Sequence, residues 1–154
     1  PNDVASEMVR VTKSDGRIVM GNWIPGDPTL VAQVLKISAA YTPPPPEGFV
    51  SPVTWGQESH VVERFTAAGV SPDNISCHRD TYTFRYDGPP SEFLARFRNW
   101  YGPTMNAFEA AAKDGRADAL QTELEALFNA QNVSGNAKAT VVPASFLRVE
   151  VTVP

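Results

Sequence analysis

Between Arg17 and Trp23 the chain runs Arg-Ile-Val-Met-Gly-Asn-Trp, a near-continuous apolar segment bracketed by turn chemistry at Ser14-Asp15-Gly16 and by the breaker Ile24-Pro25-Gly26-Asp27. A short apolar run between turn signals predicts a strand covered on both faces, as in α/β domains with helices on either side of the sheet. Upstream, Val4, Met8 and Val11 share one helical face, with Asp3 as N-cap and Lys13 near the C-terminal end. The opening unit therefore reads as helix, tight turn and buried strand.

Past the breaker, Asp27 can cap and Pro28 suits the first position of a helix reaching about Tyr41, whose apolar side is Leu30, Val31, Val34, Leu35 and Ile37. Residues Thr42 to Val53 hold the tetraproline Pro43 to Pro46, then Gly48 and Pro52, which predicts an extended polyproline-like loop. Such a run can bind an SH3-like partner, but its apolar flanks Tyr41, Phe49 and Trp55 favour a stiff loop packed on its own domain. Thr54-Trp55-Gly56-Gln57 fits a capping box opening a helix through Val61, Val62 and Phe65 to Gly69. A strand follows from about Ser76, with Tyr82, Phe84 and Tyr86 alternating against Thr81, Thr83 and Arg85.

Ser91 then caps a helix with the stripe Phe93, Leu94, Phe97, Trp100 and Tyr101. Gly102-Pro103 breaks it, a helix runs from about Thr104 to Lys113, and another from Arg116 to Ala130 carries Leu120, Leu124, Leu127 and Phe128. Asn132 to Lys138 is a polar turn. Phe146 to Val153 closes the chain as a strand whose apolar face is Leu147, Val149, Val151 and Val153. Three strands among about six helices make a thin sheet for an α/β domain, where five or six strands are usual. The chain starts Pro1-Asn2-Asp3, without an initiator Met and almost directly in a helix, as if in mid-fold.

The stretch Glu7-Met8-Val9-Arg10-Val11-Thr12-Lys13-Ser14-Asp15-Gly16, with the strand after it, resembles the segment E-x-x-R-V-L-K-P-G-G-x-strand of ubiquinone/menaquinone-biosynthesis-type methyltransferases, which belong to the class I S-adenosylmethionine (SAM) dependent superfamily. Ser14-Asp15 departs from the usual Pro-Gly at the turn. The rest of the chain is similar to a bacterial subgroup of that superfamily through Trp23, the Pro-rich loop, Trp55-Gly56, Phe97-Arg98, Tyr101-Gly102-Pro103-Thr104, Val142-Pro143 and Phe146-Leu147-Arg148-Val149-Glu150. The resemblance implies the C-terminal part of a Rossmann-like α/β fold. Residues 1–23 would give a helix and sheet strand, 24–72 a helix, Pro-rich loop and helix, and 73–154 a strand, helical insert and final strand. That final strand, antiparallel, would slot between the strand at Arg17 to Trp23 and the one near His78 to Tyr86.

The superfamily holds its cofactor with a strand followed by G-x-G-x-G, whose glycines let the backbone approach the ligand. No such motif occurs here; Gly16, Gly21 and Gly26 lie around a different strand. The implied protein is thus a methyltransferase whose cofactor is SAM in a longer chain, and this portion alone is expected neither to bind SAM nor to catalyse. The acceptor would be a small, largely apolar molecule. Trp23, at a strand's C-terminal end, with Trp55, Phe97 and Tyr101, would line its pocket, and His60 or His78 could take a proton from a phenol or enol. The contrasting reading is a non-catalytic small-molecule-binding or dimerisation module reusing this half-fold. In either case the edge of the Arg17 to Trp23 strand needs a partner, either the missing N-terminal half or a second copy.

Other chemistry is disfavoured. A net charge of -4 without a basic stripe argues against nucleic acid. With one cysteine, Cys77, there is no internal disulfide, and no Cys/His spacing suits a metal. No apolar run approaches the roughly 18 residues that span a bilayer and no signal peptide is evident, so a cytoplasmic protein is expected. His78-Arg79-Asp80 lacks the downstream Asn of a kinase catalytic loop, since Arg85 stands there. Cys77 reads as a packing residue. The sequons Asn74-Ile75-Ser76 and Asn132-Val133-Ser134 mean little without secretion.

Overall fold

A computed structural model describes all 154 residues, Pro1–Pro154. The chain is α/β, with six α-helices and one three-stranded sheet: α1 (Asn2–Val11), β1 (Arg17–Trp23), α2 (Leu30–Ala39), α3 (Glu58–Ala67), β2 (Ile75–Tyr86), α4 (Pro90–Trp100), α5 (Gly102–Lys113), α6 (Ala117–Gln131) and β3 (Thr140–Thr152). Two short 3-10 turns, Pro52–Gly56 and Pro72–Asn74, sit on either side of α3. The sheet order is β1-β3-β2, and β3 runs antiparallel to its neighbours. The last strand of the chain is thus the central one, and β1 pairs on one side only, from Arg17 opposite Thr152 to Trp23 opposite Phe146.

Contacts divide the chain into two compact units, each discontinuous in sequence: 1–25, 48–80 and 145–154 in one, 26–47 and 81–144 in the other. The long strands β2 and β3 give one half to each.

In the first unit, α1 and α3 cover one face of the sheet. Strand alternation sends Ile18 and Met20 of β1, Leu147, Val149 and Val151 of β3, and Ile75 and Cys77 of β2 into one cluster with Ala5, Met8, Val61, Phe65 and Trp55. The opposite face is mixed, with Val19, Trp23 and Phe146 beside charged side chains. It carries ion pairs of Arg17 with Glu150 at 3.7 Å and of Arg148 with Asp80 at 3.6 Å. The expectation that β1 is covered on both faces is therefore corrected: its exposure alternates, and Val19 is 58% exposed, because the helices of this unit pack on one side only. The face of α1 is corrected as well. Ala5 is buried with Met8 and Val9 beside it, whereas Val4 and Val11 stand in solvent, so the helix is rotated from the predicted stripe. Pro1, not Asp3, is its N-cap, and Asp3 sits in the first turn, where a carboxylate suits the helix dipole. The turn into β1 places Asp15 at φ 60, a left-handed conformation that Asp tolerates better than most residues. Backbone bonds from Asp15 to Val153 and from Val153 to Gly16 tie that turn to the end of β3.

The second unit is a helical core around aromatic rings. Phe93 and Phe97 of α4 meet Phe128 of α6 at 5.7 and 5.2 Å, and Phe84 of β2 lies 5.7 Å from Phe93. Leu30, Val34, Phe108, Leu120, Leu124 and Val142 close around them. Asp27 is not the cap of α2: its carboxylate accepts from the Thr29 N–H at 2.8 Å, Thr29 is the N-cap, and Pro28 therefore lies before the helix, which runs only from Leu30 to Ala39. On α4 the cap is Pro89 rather than Ser91, with Pro90 opening the helix. Trp100, placed in the buried stripe by its spacing, is 78% exposed, because α4 ends there and the core that takes Phe97 does not extend over the Trp100 ring. α5 begins directly at Gly102, and β3 extends back to Thr140. Beyond Trp23–Phe146 the strand β3 lacks its β1 neighbour, and Pro143, which has no N–H to give to a ladder, falls in that stretch.

Candidate functional site

The C-terminal end of β1 is where the first unit gathers its unusual side chains. Trp23 ends the strand with its ring edge-on to Phe146, 6.4 Å between centroids. The 3-10 turn Pro52–Gly56 packs onto this end so closely that a Cβ on Gly56 would lie 2.0 Å from the Trp23 carbonyl oxygen. Only glycine permits that approach. Trp55, next in the turn, rests edge-on against Phe65 of α3 at 6.2 Å and faces the Arg64 guanidinium at 4.5 Å.

Thr54 does not open α3 as a capping box. The helix starts at Glu58 with Gln57 as N-cap, and the Thr54 hydroxyl is otherwise occupied, donating to the Ser51 carbonyl at 2.8 Å and accepting from Arg64 Nη2 at 2.6 Å. Insertion of the 3-10 turn shifts the helix start past the expected cap. Arg64 is 4% exposed, and its Nη1 is buried without a partner. On the neighbouring strand, Asn22 likewise buries an amide Nδ2 without a partner.

The predicted pocket residues fall into two pairs. Trp23 and Trp55 both belong to the first unit, where the turn that carries Trp55 seats on the Trp23 backbone, while the Trp23 ring packs on Phe146 and the Trp55 ring on Phe65. Phe97 and Tyr101 belong to the second unit, where their rings touch at 5.3 Å and Phe97 is packed among Phe84, Phe93 and Phe128. Burial pushes the Tyr101 phenol above its ordinary pKa, so it serves as a neutral hydroxyl near neutral pH. His60 lies half-exposed on α3, 3.6 Å from Glu63, and His78 is exposed on β2. Cys77 packs into the apolar cluster; burial first, and then the nearby Glu58, raise its thiol pKa, which suppresses the thiolate a nucleophile needs.

No three His, Cys, Asp or Glu side chains are grouped so as to hold a metal ion, and no helix is long and apolar enough to cross a membrane. An open groove of about 380 Å³ in the second unit is lined by Pro89, Ser91, Glu125, Asn129 and Asn136 among others, and contains none of the predicted pocket residues.

Sequence reasoning missed Arg64, Thr54 and Asn22. A signal for the first was present: Arg64 falls three residues after Val61 and one before Phe65, on the buried stripe of α3, where a charge is out of place.

No family model matches the chain. Two longer mycobacterial proteins are similar to it. Over 111 residues the chain is 32% identical to uncharacterized protein Rv1403c of Mycobacterium tuberculosis and, to the same degree, to uncharacterized protein Mb1438c of Mycobacterium bovis. Each match takes in 70% of this chain and 38% of the relative, so the chain spans well under half the length of the curated relatives it matches.

Proposed function

We propose that the chain is the acceptor-side, C-terminal portion of a SAM-dependent methyltransferase of the class I type, acting on a small, largely apolar molecule, with the cofactor held by sequence outside these residues. One observation carries the reading. The order β1-β3-β2, with the last strand antiparallel in the middle, is the arrangement that the resemblance implied for the end of such a sheet. The turn before β1 adds support, since Asp15 takes the positive φ that suits the glycine it replaces.

The residues present do not fit SAM. The connection after β1 carries a single glycine at a positive φ, Gly26, and no glycine-rich turn follows any of the three strands. The chain's own contribution would be apolar positioning: Trp23 and Trp55 orient an acceptor at the strand end, and a methyl acceptor needs orientation more than acid-base groups. His60 and His78, both solvent-accessible, are the side chains available to accept a proton.

Calorimetric titration tests this directly. SAM added to the 154-residue chain should give no heat of binding, whereas the longer protein Rv1403c should bind it. Micromolar affinity in the short chain, or none in the longer relative, would refute the reading. The bare edge of β1, with Val19 in solvent, also favours a second reading as a non-catalytic dimerisation module, in which two copies pair across that edge. That version predicts a stable dimer by light scattering and no SAM binding in either protein.

A further inference from the structure

We propose that Arg64, assisted by Asn22, receives the carboxylate of an otherwise apolar acid at the C-terminal end of β1. Arg64 carries a guanidinium yet is only 4% exposed, and its partners are neutral: the Thr54 hydroxyl at 2.6 Å and the Trp55 ring at 4.5 Å. The Thr54 hydroxyl hydrogen is already given to Ser51, so that residue offers no compensating charge. Buried charges are retained when a counter-charge meets them, and Arg64 Nη1, buried without a partner, marks where one is lacking.

Asn22 supplies a second donor. Strand alternation puts it on the face of β1 that carries Ile18 and Met20, the face covered by α3, and its Nδ2 is also buried without an acceptor. The turn Pro52–Gly56 seats on the carbonyl of Trp23, the residue after Asn22, and bonds Arg64 through Thr54, so one turn links the residues that carry the two orphaned donors.

The chemistry of the surroundings selects the ligand. A guanidinium binds anions, and its planar N–H groups suit a carboxylate. Val61, Phe65, Ile24 and Trp55 make the site apolar, which favours a singly charged acid over a dianionic phosphate that costs more to desolvate. The segment leading into the turn carries Phe49 and Val50 exposed, and supplies apolar surface for the body of such an acid. The proposal stands apart from the methyl-transfer reading, because it needs neither the cofactor nor further strands.

Tryptophan fluorescence of the 154-residue chain, titrated at constant ionic strength with sodium benzoate, benzamide and inorganic phosphate up to about 20 mM, provides the test. Benzoate should give a saturable change, and its neutral isostere benzamide none. Arg64→Met should weaken benzoate binding by about tenfold or more and Asn22→Leu by about threefold. Three results would overturn the proposal: no saturation by benzoate, equal binding of benzamide, or phosphate binding in preference to benzoate. The comparison of benzoate with benzamide uses the unaltered chain, so it decides even if Arg64→Met does not fold.

Discussion

Phe128→Ala should destabilise the second unit by about 3–5 kcal/mol, the range for removing a buried ring from a core that cannot collapse around the loss. Phe128 is fully buried and meets both Phe93 and Phe97, while Leu120 and Leu124 sit above it on the same helix. Truncation leaves a void between α4 and α6, and it removes the edge-to-face contacts that each add about 0.5–1.5 kcal/mol beyond burial. The control is Trp100→Ala. Although Trp100 shares a helical stripe with Phe93 and Phe97, it is exposed and should change stability by no more than about 0.5 kcal/mol. Urea denaturation of the two variants beside the parent separates the cases; comparable losses would mean that the end of α4 is packed.

The second large effect is expected at Gly56. An alanine Cβ there would meet the Trp23 carbonyl oxygen at 2.0 Å and carbon at 2.7 Å, and the Ile24 Cα at 3.1 Å, all of them backbone. No rotamer change can relieve such a clash, so the turn must lift from the end of β1. Overpacking of this kind costs about 1–3 kcal/mol. Because Trp55 and Thr54 move with the turn, the environment of Trp55 should change too. Gly102→Ala provides the contrast: nothing lies within 4 Å of its added Cβ, and at the start of α5 an alanine should stabilise by about 0.4–1 kcal/mol. Thermal denaturation with tryptophan emission reads both variants. An unchanged midpoint and spectrum for Gly56→Ala would mean that the turn does not seat on β1.

Elements with a strong local pattern were legible in the sequence. The alternation of Leu147, Val149, Val151 and Val153 named the buried face of β3, and all four are buried. The apolar run at Arg17 to Trp23 named β1, but not its exposure, since a continuous run looks alike whether one face or two are covered in the chain at hand. Helix ends were less legible. Thr54 has the sequence of a capping residue, yet a 3-10 turn that spacing alone does not reveal carries the chain three residues past the expected helix start. Trp100 has the right helical phase but lies in the last turn, where coverage depends on other elements. The candidate site was half visible. Trp23 and Trp55 follow from position and aromaticity, and Arg64 could have been found as a charge on the apolar stripe of α3, whereas Asn22 matters through a bond it fails to make, a property of packing that no linear pattern encodes.

The bare edge of β1 can be probed at the level of single amides. In an antiparallel pair every second residue turns its N–H toward the partner strand. Hydrogen exchange of the 154-residue chain should therefore show alternating protection across Arg17 to Trp23, with the residues bonded to β3 slow and those facing outward nearly as fast as loop amides. Uniform protection along β1 would contradict an open sheet edge, and with it the proposal that this chain forms the terminal strands of a larger methyltransferase sheet.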